Sequence, residues 1–332
     1  MREIKITAND AGRRLDRFLR KYLKNASLGQ IYKIIRKDLK VDGKRKNESY
    51  MLSEGETLTL YISDEEWTKL STSKLNETNR TSKVRKQFKI VHEDEKILIV
   101  SKPYGLLTHG DSNEKKNHLA NQVKDYLIEQ GEYNPREEKV FAPAPANRID
   151  RNTTGLVVFG KTSDSLKDLN QMIREDMISK YYLTIVHGYI DKELILEGKL
   201  SKNEKSNKVS IGDEGLNIKT IVRPIEKLDK NTTLVEVELV TGRSHQIRAH
   251  LASIGHPIIG DSKYQTKSAI KLNGYLAQRY NLNTQLLHAY RLVIKNTTAG
   301  LEYLEGQEFV AEIPEAFKRI LSGFGSECLD EE

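Results

Sequence analysis

Two amphipathic segments lie near the N-terminus of the chain. Apolar residues recur there at spacings of three and four, with basic side chains between them, and this pattern predicts two short helices. Ser27 followed by Gln30 has the form of a capping box, which predicts the start of the second helix. The apolar positions of the two helices are Leu15, Phe18, Leu19, Leu23, Leu28, Ile31, Ile34 and Ile35.

A hairpin is predicted after these helices. Asp42-Gly43 is a favoured two-residue hairpin turn, and it follows the apolar positions Leu39 and Val41. A strand with alternating apolar and polar residues then closes the segment. Its apolar positions are Leu58, Leu60 and Ile62.

From residue 87 onward, strand and helix patterns alternate. Short apolar or alternating runs predict strands at residues 88–91, 97–100, 156–159, 181–188 and 235–239. Apolar residues at helical spacing predict helices around residues 119–127, 166–173 and 247–254. The glycine fingerprint of a dinucleotide-binding unit does not occur, which argues against a doubly wound nucleotide fold. We expect one mixed domain of helices and strands over residues 87–322.

The composition is that of a polar protein with a buried core. Hydrophobic residues make up 37% of the chain, and the mean hydropathy is -0.59. No run approaches the roughly 18 apolar residues that cross a bilayer, and Met1-Arg2-Glu3 does not begin a signal peptide. The single cysteine, Cys328, allows neither an internal disulfide nor a thiolate metal cluster. We expect a cytoplasmic protein that does not contact a membrane.

The positive charge is concentrated at one end of the chain. The net charge is +7, and residues 1–60 contain 15 basic and 8 acidic side chains, so the remainder is balanced. A basic module attached to a neutral body indicates a polyanionic partner such as nucleic acid. The alternative is an ordinary solvated surface. We predict a small basic domain over residues 1–62.

Two further segments are predicted to lack a packed structure. Residues 63–86 are rich in Ser, Thr, Asn, Lys and Glu, which predicts a flexible linker. Within it, Trp67 is expected to anchor onto a neighbouring domain. Residues 323–332 are predicted to form a disordered acidic tail.

The stretch of residues 147–155 has the clearest chemical character. It places Asp150 between Arg148 and Arg151, ahead of a turn of small residues and an apolar strand. Nearby positive charge favours the ionised form of such a carboxylate, and an ionised, positioned aspartate can act as a nucleophile. Taken alone, the stretch is also consistent with a surface salt bridge, and most exposed ion pairs contribute little.

Three other segments combine polar turns with strand or helix patterns. They are residues 102–110, 180–188 and 241–261. Together with the Asp150 loop they resemble the RluA family of pseudouridine synthases, whose catalytic loop reads His-Arg-Leu-Asp-x-x-Thr-Ser/Thr-Gly before a hydrophobic strand. The resemblance spans nearly all of residues 87–320 and is greatest to the RluC-type enzymes of large-subunit ribosomal RNA. It implies an α+β fold with a mixed, mainly antiparallel sheet.

The resemblance also implies roles for individual residues. Asp150 matches the catalytic aspartate, Tyr182 the tyrosine that packs on the target base, and Arg248 the arginine that pairs with the aspartate. Asn147 stands where the family usually has His, and Asn152 where Asp is common. We expect the first departure to alter loop packing or an RNA contact and not the reaction, because the chemistry depends on the aspartate.

The N-terminal segment has a resemblance of its own. Residues 11–62 are similar to the small RNA-binding domain named after a small-subunit ribosomal protein, in which two short helices and the following turn hold an RNA backbone. The two resemblances together imply RNA contacts by Arg14, Arg17, Lys33, Arg36, Lys37, Lys44, Arg45, Lys46, Arg148 and Arg151.

The expected reaction breaks the bond from uracil N1 to the sugar C1′, turns the base and rejoins it through C5. No atom is gained or lost and no redox step occurs, so no cofactor is expected. An ionised carboxylate serves equally for attack on C1′, attack on the base or removal of a sugar proton. His245 and His250 are five residues apart, which is not the spacing of a helical zinc site, and no metal is expected.

The function implied is site-specific formation of pseudouridine in RNA by a monomer. The expected partner is 23S ribosomal RNA or a large-subunit precursor. Alternatives are a synthase of transfer RNA and a non-catalytic RNA-binding factor in ribosome assembly. A glycoside hydrolase ranks last, because it needs a second carboxylate that does not accompany Asp150 in these motifs.

Overall fold

The structure is a computed structural model, and it describes residues 1–71, 85–135, 138, 140–203 and 208–325. The chain forms two compact units. The first consists of residues 1–86, 121–144 and 160–167, and the second of residues 87–120, 145–159 and 168–332. The predicted domain boundaries at residues 62 and 87 differ from this partition, because two later segments join the N-terminal residues.

The first 71 residues form a three-stranded sheet and three helices. The sheet is antiparallel, with its strands in the order β1-β3-β2. The elements are β1 (Arg2–Lys5), α1 (Leu15–Tyr22), α2 (Leu28–Lys37), β2 (Leu39–Val41), β3 (Thr57–Leu60) and α3 (Asp64–Ser71).

The local signals of this unit take the predicted form. The Ser27 hydroxyl accepts a hydrogen bond from the Gln30 amide while the Gln30 side chain accepts one from the Ser27 amide, so the capping box begins α2. Asp42 and Gly43 both have positive φ, as a two-residue hairpin turn requires. One predicted core position is wrong. Leu28 is 46% exposed although it shares a helix face with Ile31 and Ile35, because it is the first residue of α2, at the end of the apolar stripe.

The predicted flexible linker begins instead with a helix. Residues 64–71 form α3, because Trp67 and Leu70 lie three positions apart and pack on the core of the first unit. The Trp67 ring lies 5.8 Å from that of Tyr22, in agreement with the expected anchor. Residues 72–84 of the predicted linker lie outside the described residues.

From residue 87 the chain builds one large sheet with helices. The strands are β4 (Lys89–Glu93), β5 (Ile97–Lys102), β6 (Ala144–Pro145), β7 (Thr154–Gly160), β8 (Ile178–His187), β9 (Leu194–Asn203), β10 (Lys208–Gly212), β11 (Leu216–Leu228), β12 (Thr232–Leu239), β13 (Leu287–Ile294) and β14 (Glu308–Val310). The helices are α4 (Leu119–Glu129), α5 (Ser163–Arg174), α6 (Gln246–Ser253), α7 (Ile270–Tyr280) and α8 (Glu315–Ser322).

The sheet is mixed and mainly antiparallel, as expected. Its strands follow the order β10-β9-β11-β12-β8-β13-β7-β5-β4, with β14 beside β13 and β6 beside β7. The β13–β7 pair is parallel, whereas β8 is antiparallel to both of its neighbours, β12 and β13. The loop before β7 therefore reaches the same central region of the sheet as β8.

The side chains of strand β8 point alternately to the two faces of the sheet, and one of these faces is covered by helices. Leu183 and Ile185 pack with residues of α7 and α8 in one core cluster. Tyr182 directly precedes Leu183 in the strand, so its side chain points to the other face of the sheet. The same cluster contains Phe324, which is 1% exposed. The predicted acidic tail therefore starts too early, and its residues 326–332, including Cys328, lie outside the described residues.

Gly155 brings β7 close to β13. Its φ is +108°, and a Cβ atom at this position would lie 2.0 Å from the carbonyl oxygen of Ala289. Only glycine allows this backbone approach. The parallel β7–β13 pair, and with it the entrance of the Asp150 loop into the sheet, depends on this residue.

Candidate active site

Asp150 lies in the loop that precedes β7, and backbone contacts on both sides hold this loop. The Thr108 hydroxyl donates to the Ile149 carbonyl at 2.9 Å, and its oxygen is 3.3 Å from the Ile149 amide. After Asp150, the Thr153 amide donates to the Asp150 carbonyl at 3.1 Å. The Asp150 side chain remains 27% exposed. The loop thus presents its carboxylate at a fixed place.

Lys102 holds the same loop from beneath and was not predicted as a site residue. It is fully buried, and its ammonium group donates to the carbonyls of Pro103, Leu106 and Arg151 at 2.7–3.0 Å. Burial lowers the pKa of Lys102 to about 7, whereas the negative charge of Asp150 acts in the opposite direction. Three carbonyl acceptors also favour the ammonium form. Lys102 therefore joins the 102–106 turn to the residue that follows Asp150.

Arg248 lies between two carboxylates. Its Nη1 donates to Asp150 Oδ2 at 3.1 Å, and its Nε and Nη2 donate to Asp261 at 2.7 and 3.0 Å. Burial opposes ionisation of Arg248, but hydrogen bonds and charge from Asp261, with a smaller contribution from Asp150, raise its pKa. The predicted Asp150–Arg248 pair is thus present. Asp261 was not predicted, because nothing in a single carboxylate 13 positions along the chain marks it as a partner.

Asp261 is itself held by the backbone. It is 1% exposed, and its Oδ1 accepts hydrogen bonds from the amides of Lys263 and Tyr264 at 2.9 and 3.2 Å. A buried carboxylate with these donors keeps its orientation. The orientation of the Arg248 guanidinium toward Asp150 follows from it.

Tyr182 and Asp150 line the same cavity. Tyr182 is 5% exposed, and burial, with a smaller contribution from the charge of Asp150, raises its pKa well above the usual value. The phenol therefore stays protonated at neutral pH. The structure brings Tyr182, Asp150 and Arg248 together, although they come from a strand, a loop and a helix.

Two adjoining cavities open beside Asp150. The smaller holds about 50 Å³ and is lined partly by apolar side chains, among them Tyr182, Leu239, Ile247 and Leu287. The larger holds about 560 Å³ and is lined mainly by polar and charged residues. Residues 148–150, His245 and Arg248 border both cavities. The first cavity is thus small and partly apolar, and the second is larger and mainly polar and charged.

The two arginines beside Asp150 differ in their contacts. Arg148 is exposed and borders both cavities. Arg151 lines the larger cavity and lies 3.6 Å from Asp111. Asn152 also lines the larger cavity. These positions leave the predicted RNA contacts of Arg148 and Arg151 geometrically possible.

Asn147 binds the backbone of β7. Its Oδ1 accepts from the Val158 amide at 2.8 Å, and its Nδ2 donates to the Leu156 carbonyl at 3.3 Å. An amide side chain can satisfy both groups, since it carries a donor and an acceptor on one plane. Asn147 therefore has a packing role at the start of the Asp150 loop.

The remaining predicted RNA-binding residues lie in the first unit. The exposed ones on α1, α2 and the hairpin turn are Arg17, Lys33, Arg36, Lys37, Lys44 and Arg45. Arg14 instead donates twice to Asp16, and the Lys46 ammonium lies 4.1 Å from the centre of the Tyr50 ring. The surface on α2 and the turn is thus the more accessible cationic surface of this group.

Neither a metal cluster nor a membrane helix occurs among the described residues. No group of three or more His, Cys, Asp and Glu side chains in that part of the chain is arranged to hold a metal ion. No helix in the same part is long and apolar enough to cross a bilayer.

Comparison with known proteins gives consistent matches. Residues 96–253 match the family model described as RNA pseudouridylate synthase. A Vibrio vulnificus protein named ribosomal large subunit pseudouridine synthase C is 32% identical over 288 residues, covering 86% of this chain and 86% of the relative. Its Vibrio cholerae namesake is 33% identical over 300 residues, with the same coverage of both chains.

One solved structure supports the fold. The human RNA pseudouridylate synthase domain containing 4 covers 71% of this chain and 92% of its own length, with a TM-score of 0.53 and 21% identity. At this identity the similarity concerns the fold alone.

Proposed function

The chain belongs to the RNA pseudouridine synthase family, and we propose that it isomerises uridine to pseudouridine in large-subunit ribosomal RNA, with Asp150 as the reacting carboxylate. The observation that carries the proposal is the contact of Arg248 with Asp150 at the border of two cavities. The names of the Vibrio relatives supply the substrate class.

The site fits what the isomerisation requires. The reaction needs an ionised carboxylate beside the target nucleotide, a pocket that keeps the detached base and a region that holds the RNA backbone. Asp150 supplies the first, and the small cavity beside Tyr182 supplies the second. In this assignment Tyr182 packs on the uracil ring, while Arg248 favours the ionised form of Asp150.

The target base has to leave its helix to enter the small cavity. Unstacking and unpairing a base costs a few kcal/mol. Phosphate contacts offset part of this cost, and each cation that neutralises a phosphate also releases counterions. Arg148 and Arg151 are placed to make such contacts in the larger cavity, and the exposed basic residues of α2 can add others. We further propose that the protein acts as a monomer in the cytoplasm.

The direct test is pseudouridine mapping of ribosomal and transfer RNA from cells that lack the gene. Loss of one or a few pseudouridines from 23S ribosomal RNA is expected, with restoration by the intact gene. Loss of pseudouridine confined to transfer RNA would show that transfer RNA, and not ribosomal RNA, is the substrate. An unchanged map in both RNA classes would contradict enzymatic function and favour a non-catalytic role in ribosome assembly.

A further inference from the structure

His245 borders both cavities, and the assignments above give it no role. It precedes α6 with φ at +55°, in the left-handed region that histidine adopts more readily than most residues. Its side chain is 15% exposed, and its Nε2 lies 3.8 Å from Asp150 Oδ2. This geometry points one edge of the imidazole at Asp150, the carboxylate that the proposed function places beside the target nucleotide.

The hydrogen bonds behind the ring determine which nitrogen carries the proton. The Val209 amide donates to the Tyr264 hydroxyl oxygen at 3.0 Å, and that oxygen lies 2.9 Å from His245 Nδ1. The hydroxyl has one hydrogen to donate, and since its oxygen already accepts from Val209 we assign that hydrogen to Nδ1. This assignment leaves the proton of a neutral His245 on Nε2, the nitrogen that faces Asp150.

The surroundings of His245 favour its neutral form. Burial lowers the pKa of His245, and the positive charges of Arg248 and Lys263 act in the same direction, whereas the charges of Asp150 and Asp261 oppose them. The imidazole thus presents an uncharged N–H donor to the cavities.

Two other buried polar side chains of the small cavity, Gln246 and Arg248, already have partners. Gln246 makes four hydrogen bonds, to Thr241, Arg243, Lys219 and Thr220. All three guanidinium nitrogens of Arg248 donate hydrogen bonds to Asp150 or Asp261. Among the described residues, His245 Nε2 faces Asp150 Oδ2 at 3.8 Å, which is too far for a hydrogen bond. A ligand can supply its acceptor.

The chemistry of uracil identifies that acceptor. The base must turn about the axis through N3 and C6, because this turn exchanges N1 with C5 at the sugar. The same turn exchanges C2 with C4, so the O2 and O4 carbonyls trade places. A fixed donor beside the glycosidic bond therefore faces O2 before the turn and O4 after it. Cytosine would place an amino group there after the turn.

We propose that the Nε2–H of His245 donates a hydrogen bond to the uracil carbonyl next to the bond at C1′, to O2 in the substrate and to O4 in the product. This assignment rests on the proposed function. One donor then holds the detached uracil both before and after the turn. It disfavours cytosine, because after the turn the amino group of cytosine would face the N–H donor in place of a carbonyl. His245 is accordingly a base-recognising residue, and Tyr264 positions it.

The test combines a protein variant with altered RNA. Single-turnover rates are measured for wild type and His245→Leu on a mapped target carrying uridine, 2-thiouridine or 4-thiouridine, since sulfur is a weak acceptor. On uridine, His245→Leu is expected to lower the rate about tenfold, the effect of one hydrogen bond. Sulfur at either position is expected to slow wild type but to have little further effect on the variant. RNA affinity should stay within a few-fold.

Two controls separate recognition from folding. His256→Leu changes a histidine whose Nδ1 bonds the His187 carbonyl, and it should respond to sulfur as wild type does. Tyr264→Phe removes only the hydroxyl that orients His245 and should give an intermediate loss. Sulfur effects of equal size in wild type and His245→Leu would overturn the proposal. A wild-type protein inactive on every uridine-containing RNA would instead contradict the proposed function.

Discussion

Arg248 is shared between Asp150 and Asp261, and the two contacts differ in character. The Asp261 side chain is 1% exposed and forms two hydrogen bonds with the guanidinium, whereas Asp150 is 27% exposed and forms one. A buried carboxylate without its cation is costly, while a partly solvated one is less so. The inner contact therefore sets the position of Arg248, and the outer contact leaves Asp150 accessible to a substrate.

The buried residue His288 makes the free energy of unfolding depend on pH. His288 is fully buried between Thr154 and Ala311, and burial lowers its pKa to about 4. The unfolded chain therefore binds a proton more readily between about pH 6.5 and pH 4, and the folded state loses stability as the pH falls through this window. The expected contribution is roughly 3 kcal/mol.

Urea unfolding of wild type and His288→Gln between pH 7 and pH 4 measures this contribution. Glutamine can keep the hydrogen bonds without titrating, so the variant should show a shallower fall in unfolding free energy. Parallel curves for the two proteins would contradict the assignment of His288 as a buried neutral histidine.

At the scale of elements, the parallel pair β7–β13 couples the Asp150 loop to the sheet. Gly155 makes this pair possible, because a side chain there would collide with the backbone of Ala289. Gly105 also has positive φ, at +79°, but the space around it is open. Alanine at Gly105 would therefore cost only the strain of positive φ, whereas alanine at Gly155 would add a steric clash to this strain.

The Gly155→Ala variant is expected to lose more than about 3 kcal/mol of unfolding free energy, because it combines backbone strain with a backbone clash. Gly105→Ala should lose only about 1 kcal/mol, from the conformation alone. Denaturant titration of both variants provides the comparison. Similar losses would show that β7 can move away from β13 at little cost.

Periodic patterns predicted most of the elements that surround the site. Helices α1, α2, α4, α5 and α6 and strands β3, β4, β5, β7, β8 and β12 follow from apolar spacing. Strand β11 and helices α7 and α8 were not predicted. The polar and apolar positions of β11 do not alternate regularly, with Ile225 44% exposed, and Pro224 interrupts it at a register shift.

The site was predicted in part, and the missed residues share a physical reason. Asp150, Tyr182 and Arg248 belong to motifs with a recognisable order. Lys102 and Asp261 are both buried. Charged residues are rarely buried, so the sequence gives no reason to expect these two in the interior. Their roles depend on contacts with loops distant in sequence, which only the folded chain reveals.

At the scale of the whole molecule, the excess positive charge lies in the N-terminal residues. Because Val140 packs in the same core as α1 and α2, deleting residues 1–62 would also disturb later segments of the first unit. Substitutions of exposed side chains test the charge without removing core residues. Lys33, Arg36 and Lys37 form one exposed group on α2.

Replacing these three residues by glutamine is expected to weaken RNA binding and to flatten its salt dependence. Each lost phosphate contact should reduce the slope of log affinity against log salt by roughly 0.7–0.9. The matched control replaces Lys267, Lys271 and Arg279, three exposed cations of the second unit, and should change the slope less. Equal slopes for the two triple variants would contradict a role for α2 in holding RNA.

The proposed function requires the Asp150 carboxylate to carry out the isomerisation. This role is tested by the single-turnover rate of pseudouridine formation by purified wild type and Asp150→Asn on the same mapped ribosomal RNA fragment, with RNA affinity measured in parallel. Asparagine keeps the shape but cannot supply the carboxylate, so product formation should cease while affinity stays within a few-fold. Pseudouridine formation by Asp150→Asn at the wild-type rate would show that this carboxylate is not required for the reaction.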